Sequence, residues 1–147
     1  MSLIKKLKSL LFVKKNNDFY ENMFVKDDMW NKKTPNDDET SRWNEINKFL
    51  NTIQFDKGNS KVFDYGCGRG WLANLLKPYG KVWAYDPEKK VIEYAKKLFD
   101  GIEFFSENID DFIINSKEKF DLCVSSEVLE HIPNNQKDIF LKGINKI

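Results

Sequence analysis

The chain has 147 residues, with 24 Lys and Arg against 23 Asp and Glu, one His, two Cys and a formal net charge of +1. That length suits one domain and leaves little room for a second. Hydrophobic residues make up 41% and aromatics 14%, enough for a packed core and too much for a wholly disordered chain. The near-zero charge argues against a generally basic nucleic-acid binder. Only Arg42 and Arg69 carry the planar fork preferred for phosphate capture, so there is no strong nucleic-acid signal. Two cysteines do not make a disulfide framework. No apolar run nears the ~18 residues needed to span a bilayer, and Leu10 to Val13 is too short for the roughly 7–15 residues of a secretory core segment. The expectation is a reducing, cytoplasmic compartment.

Residues 1–56 read as an N-terminal helical segment and 57–147 as an α/β core. The first 33 residues carry a net of +4, leaving −3 for the remainder. Leu3, Ile4, Leu7, Leu10 and Leu11 recur at helical spacing among Lys5, Lys6 and Lys8. This basic amphipathic stretch, residues 1–15, is read as a leader helix that packs on the domain or frays; contact with an anionic membrane surface is the alternative. Residues 31–41, polar and containing Pro35, read as a linker running into a helix N-cap. Trp43, Ile46, Leu50 and Ile53 then give a helical stripe, with Trp43 assigned to the core.

After Ser60 the pattern becomes strand, turn, helix, repeated. Lys61–Tyr65, Lys81–Tyr85, Ile102–Phe105 and Phe120–Val124 are predicted strands. Helices are expected on Trp71, Leu72, Leu75 and Leu76, stopped by Pro78 and Gly80; from Asp86 as N-cap and Pro87 in the first turn; on Ile109, Phe112 and Ile113; and on Ile139, Phe140 and Ile144. Such alternation implies a parallel sheet with helices on its faces.

The most informative stretch is Val62-Phe-Asp64-Tyr-Gly66-Cys-Gly68-Arg-Gly70. Glycine suits positions that need positive φ, or where a ligand presses on the main chain. A strand feeding such a loop and then a helix is a nucleoside- or dinucleotide-binding arrangement at the carboxyl edge of a sheet. A dinucleotide fingerprint would place its third glycine at position 71, which is Trp; here it falls at 70. This speaks against a nicotinamide dehydrogenase. Asp86 closes the next predicted strand, where its two oxygens can accept both hydroxyls of a ribose; the competing reading is that it only caps its helix.

The pattern Asp-x-Gly-x-Gly-x-Gly resembles the first motif of the class I S-adenosylmethionine-dependent methyltransferases. Tyr85-Asp86-Pro87, Glu107-Asn108-Ile109-Asp110 and the segment from Phe120 through Ser126-Glu127-Val-Leu-Glu130-His131 to Pro133 follow in the family's order, the last resembling the ubiquinone-biosynthesis type. Together they cover about half the chain. The resemblance implies a Rossmann-like doubly wound parallel sheet and S-adenosyl-L-methionine as cofactor. It implies cofactor contacts from Asp64, Tyr65, Gly66, Cys67 and Gly68 in the first motif, and from Asp86 and Pro87 in the second. Ile109 with Asn108 or Asp110 would line the adenine pocket, Ser126 would contact the cofactor from the fourth-strand motif, and Arg42 would reach the cofactor's carboxylate. The competing reading of Arg42 is a surface ion pair with Glu39 or Glu45.

Transfer needs in-line positioning and, for a weakly acidic hydroxyl, a base. His131, with Glu130, is the candidate; the plainer reading is a His bonded to the backbone at a turn before Pro133. Glu127, Glu130 and His131 also resemble the metal-holding set of small-RNA 2′-O-methyltransferases, although those enzymes need a further His that this chain lacks. No metal is therefore expected, and the expected acceptor is a small molecule, methylated on oxygen. A non-catalytic cofactor-binding subunit that needs a partner is the alternative. The family's sheet has seven strands, and four are read here, followed by one helix. The expectation is a fold truncated at that point, or one completed by a second copy or a partner chain.

Overall fold

The computed structural model describes residues 17–54, 56–107, 109, 111–112 and 119–146. The amphipathic stretch 1–15, together with Asn108 and Ile113, lies outside them. A short helix α1 (Asn17–Glu21) runs into a π-helical turn (Asn22–Lys26). Helix α2 (Asp37–Leu50) follows, then β1 (Ser60–Tyr65), α3 (Trp71–Leu76), β2 (Gly80–Tyr85), α4 (Lys89–Leu98), β3 (Ile102–Phe105), β4 (Leu122–Val124) and α5 (Lys137–Ile144). Ile109 and Phe112 are helical, as expected. No helix among the described residues is long and apolar enough to cross a membrane.

The four strands form one parallel sheet in the order β3-β2-β1-β4, with Asp64 of β1 opposite Ala84 of β2 and Val124 of β4. Because side chains alternate across a strand, each face collects one parity of residues. Val62, Val82, Ala84 and Phe104 face an aliphatic core shared with Leu72, Leu76, Ile92, Ala95 and Leu50. Phe63, Tyr65 and Tyr85 face the other way, into an aromatic core with Phe105, Phe112, Phe120 and Phe140. Phe63 stacks on Phe112 at 5.7 Å and Tyr65 on Phe140 at 4.8 Å. Much of the chain's phenylalanine is thus spent on one face of the sheet.

Some boundaries differ from expectation, β1 and β2 each starting one residue early. Phe120 precedes β4 and packs in the aromatic core instead of pairing in the sheet. The stretch 31–41 runs into a helix N-cap as expected: α2 begins at Asp37, where Asn36 and Glu39 form a reciprocal capping box. Helix α4 starts at Lys89 with Glu88 as N-cap, not at Asp86, because the Asp86 side chain is already engaged in the neighbouring loop. Trp43 packs against the aliphatic core, its ring 6.4 Å from that of Tyr79.

Candidate functional site

The strand tips open into a cleft of about 700 Å³. Its floor is the loop after β1, where Gly66, Gly68 and Gly70 take φ of +86°, +52° and +87°. The Gly66 and Cys67 N–H groups both donate to the Tyr85 carbonyl, at 2.8 and 2.9 Å, so the loop hangs from the tip of β2. A Cβ on Gly66 would fall 2.3 Å from Val128 Cγ2, and one on Gly68 would fall 3.1 Å from the Phe24 ring. Neighbouring segments therefore close onto bare backbone, which explains glycine at both positions.

Asp86 lines the cleft beside this loop. Its Oδ2 accepts from the Gly68 N–H at 3.0 Å and its Oδ1 from the Glu88 N–H at 2.9 Å. Each oxygen keeps a second acceptor position. Burial pushes this carboxyl up to about 6, opposed by the two backbone bonds and assisted by the nearby Glu88 charge. Asp64 lies deeper at the end of β1, only 1% exposed, and is not among the lining residues. Its Oδ2 has no hydrogen-bond partner among the described residues. Burial, then the Asp86 charge, push it up to about 7, against the Ala73 N–H bond.

Of the other predicted site residues, Arg42, Cys67, Pro87, Ser126, Glu130 and His131 line the cleft with Gly66 and Gly68. The Cys67 thiol is pushed up by burial, then by the charges of Asp64 and Asp86. Tyr65 and Ile109 are not among the lining residues; both are buried in the aromatic core. Asn108 and Asp110 lie outside the described residues.

Arg42 forms neither of its expected pairs. Glu39 turns to Arg69 and Glu45 to Lys48, whereas Arg42 Nη1 lies 3.7 Å from Glu127 Oε2 across the cleft. Arg42 Nε is buried with no partner among the described residues. Glu127 is held at φ +58°, a left-handed conformation that costs a residue with a Cβ roughly 1–2 kcal/mol. Glu127, Glu130 and His131 do not converge: Glu130 Oε1 is 4.0 Å from His131 Nε2, and Glu127 turns to Arg42. Among the described residues no group of three or more such side chains is placed to hold a metal ion. His131 sits half exposed on a 3-10 turn (Leu129–His131), its backbone N–H donating to the Val128 carbonyl at 3.0 Å.

Several lining residues escaped the sequence reading. Tyr20, Met23 and Phe24 wall the cleft from α1 and its π-helical turn, joined by Trp30, and Trp71 lines it from α3. Tyr20 stacks on Phe24 and meets the His131 ring edge-on, both at 6.3 Å. Its phenol is pushed up by burial and by the charges of Asp86, Glu88 and Glu130. Glu39 also lines the cleft and forms a buried, two-pronged ion pair with Arg69. Two signals pointed there: the Asn36-x-x-Glu39 capping pattern, and an Arg set between glycines in a chain that otherwise uses Lys.

A family model described as a methyltransferase domain matches residues 62–147. The ubiquinone biosynthesis O-methyltransferase of Actinobacillus pleuropneumoniae is 34% identical over 83 residues, covering 50% of this chain and 36% of that protein. The malonyl-[acyl-carrier protein] O-methyltransferase of Acetivibrio thermocellus is 31% identical over 90 residues, covering 57% and 31%. The chain thus spans about a third of the length of these curated relatives. Among solved structures, a TehB-like SAM-dependent methyltransferase from Corynebacterium glutamicum shares the fold, with a TM-score of 0.55 at 22% identity over 74% of this chain and 64% of that one. Glycine loop, strand order and family match agree: the chain belongs to the methyltransferase domain family, of the class I S-adenosylmethionine-dependent type.

Proposed function

We propose that this chain binds S-adenosylmethionine in the cleft and directs its methyl group to an oxygen of a small-molecule acceptor. One observation carries the reading: alternating glycines and the Asp86 carboxylate meet at neighbouring tips of parallel strands, facing one cleft. The charge of that cleft agrees. Asp86, Glu88, Glu127 and Glu130 outnumber Arg42 along its lining, since Glu39 is neutralised by Arg69. An acidic, partly enclosed cleft favours a cationic ligand.

When bound, the cofactor supplies a methyl group on a cationic sulfonium, so the hard chemistry is its own. This chain's residues position it and exclude water. The free acceptor positions on Asp86 suit ribose hydroxyls, and the Arg42 guanidinium suits a carboxylate. Tyr20 and Phe24 wall off solvent above the glycine loop. On the acceptor side we assign to His131, which lines the cleft beside Glu130, the role of taking a proton from a hydroxyl. Transfer to oxygen is further supported by the names of the two curated relatives.

Isothermal titration with S-adenosylhomocysteine tests the cofactor; saturable one-site heat is expected, and none from folded chain overturns the reading. For the acceptor step, His131→Ala should retain that heat and lose about 10²-fold in labelled-methyl transfer. Unchanged transfer would remove His131 from the mechanism.

A further inference from the structure

Arg69 stands between Gly68 and Gly70, and its side chain is wholly buried. A buried cation persists only where its donors are met. Here Nη1 and Nη2 grip the two oxygens of Glu39, the second at 2.7 Å, and Nε donates to the Lys32 carbonyl at 2.7 Å. Glu39 Oε2 also accepts the Asn36 N–H at 2.9 Å, closing the cap of α2. One carboxylate therefore both terminates a helix and fixes the glycine loop.

The residue before Arg69 matters most. Gly68 donates the N–H that reaches Asp86, and the Phe24 ring lies over its Cα. Arg69 is joined directly to Gly68, so a displaced Arg69 would carry Gly68 and its N–H away from Asp86. The N-terminal segment is held from a second side as well: Tyr94 Oη donates to the Asn31 carbonyl at 2.8 Å, and Lys90 pairs with Glu21 at 2.5 Å.

We propose that Arg69, locked by Glu39 and the Lys32 carbonyl, is a positioning residue that sets the glycine loop for the cofactor, so that residues 19–39 are a working wall of the site. The inference rests on the cofactor reading above, and Arg69 acts through Gly68 and Asp86. The planar fork is what the site uses; an ammonium in its place would keep the charge and lose the geometry.

The test is titration of the full chain with S-adenosylhomocysteine, with thermal melting of each protein, for wild type, Arg69→Lys and the double variant Arg69→Met with Glu39→Leu. Arg69→Lys should bind at least tenfold more weakly and show faster hydrogen exchange at the Gly68 amide. The double variant removes the pair whole and should recover much of the melting temperature, yet stay at least tenfold weaker in binding. Wild-type affinity in Arg69→Lys, or recovery of affinity together with stability in the double variant, overturns the proposal. If the double variant does not fold, Arg69→Lys decides alone. Absence of binding by folded wild type instead overturns the cofactor reading itself.

Discussion

The glycine-loop wall of the cleft is tied down by backbone bonds at Gly66, Cys67 and Gly68 and by the buried grip on Arg69. The facing wall, after β4, leans on the cross-cleft pair of Arg42 with Glu127 and on a 3-10 turn that leaves His131 half exposed. The first wall is built for one shape, as a cofactor seat must be. The second rests on fewer and more exposed contacts, as surface loops generally do. The fixed geometry of the cleft is therefore concentrated in the first wall.

The difference can be broken most forcefully at Glu39. Glu39→Ala leaves the buried Arg69 charge without its carboxylate, with the Lys32 carbonyl as its remaining partner, a loss of about 3–5 kcal/mol. A fall in the melting midpoint of about 10 °C is expected by scanning calorimetry; a fall of a degree or two would mean the first wall is not tied as described. Next comes Asp86→Ala, which removes the carboxylate proposed to accept the ribose hydroxyls and frees the Gly68 amide. With about 1.5–3 kcal/mol for a bond to a charged group, S-adenosylhomocysteine should bind at least tenfold more weakly by calorimetric titration.

A third test uses pH. Asp64 ordinarily titrates at 3.8 and does so at about 7 in the fold. Between those values the folded chain keeps a proton that the unfolded chain has lost, so stability falls as pH rises from about 4 to 7, by at most about 1.4 kcal/mol per pH unit. Asp86, raised to about 6, acts in the same direction over a narrower window. Urea midpoints at pH 4.5 and 7.5 should show the decline, and Asp64→Asn should flatten it; an unchanged slope would place the titration elsewhere. The smallest effect belongs to the second wall. Glu127→Gln breaks a half-exposed pair and should shift stability by less than about 1 kcal/mol, which denaturant titration can resolve. A larger loss would show that this wall is as firmly built as the other.

The parts legible in the sequence were local. The glycine loop, Asp86 at the next strand tip and the alternation of strands and helices each fit within a few residues, and the parallel sheet followed from them. The start of α4 is ambiguous in the sequence because Asp86 suits a helix cap as well as a loop clasp. Only the fold shows its oxygens engaged by Gly68 and Glu88. The pairs that shape the cleft join distant positions, Arg69 with Glu39 and Arg42 with Glu127, and no spacing rule reports them. The Tyr20 and Phe24 wall was equally silent, since α1 is five residues long and too short to show a periodic stripe. Ile109 had two plausible destinations by pattern, and it packs in the aromatic core.

The chain carries four tryptophans, and two of them, Trp30 and Trp71, border the cleft. The others, Trp43 beside Tyr79 and Trp83 beside Phe120, are not among its lining residues. A ligand filling the cleft would alter the surroundings of the first pair and leave the second as constant background. The protein thus has an intrinsic fluorescent gauge of occupancy, read without any label.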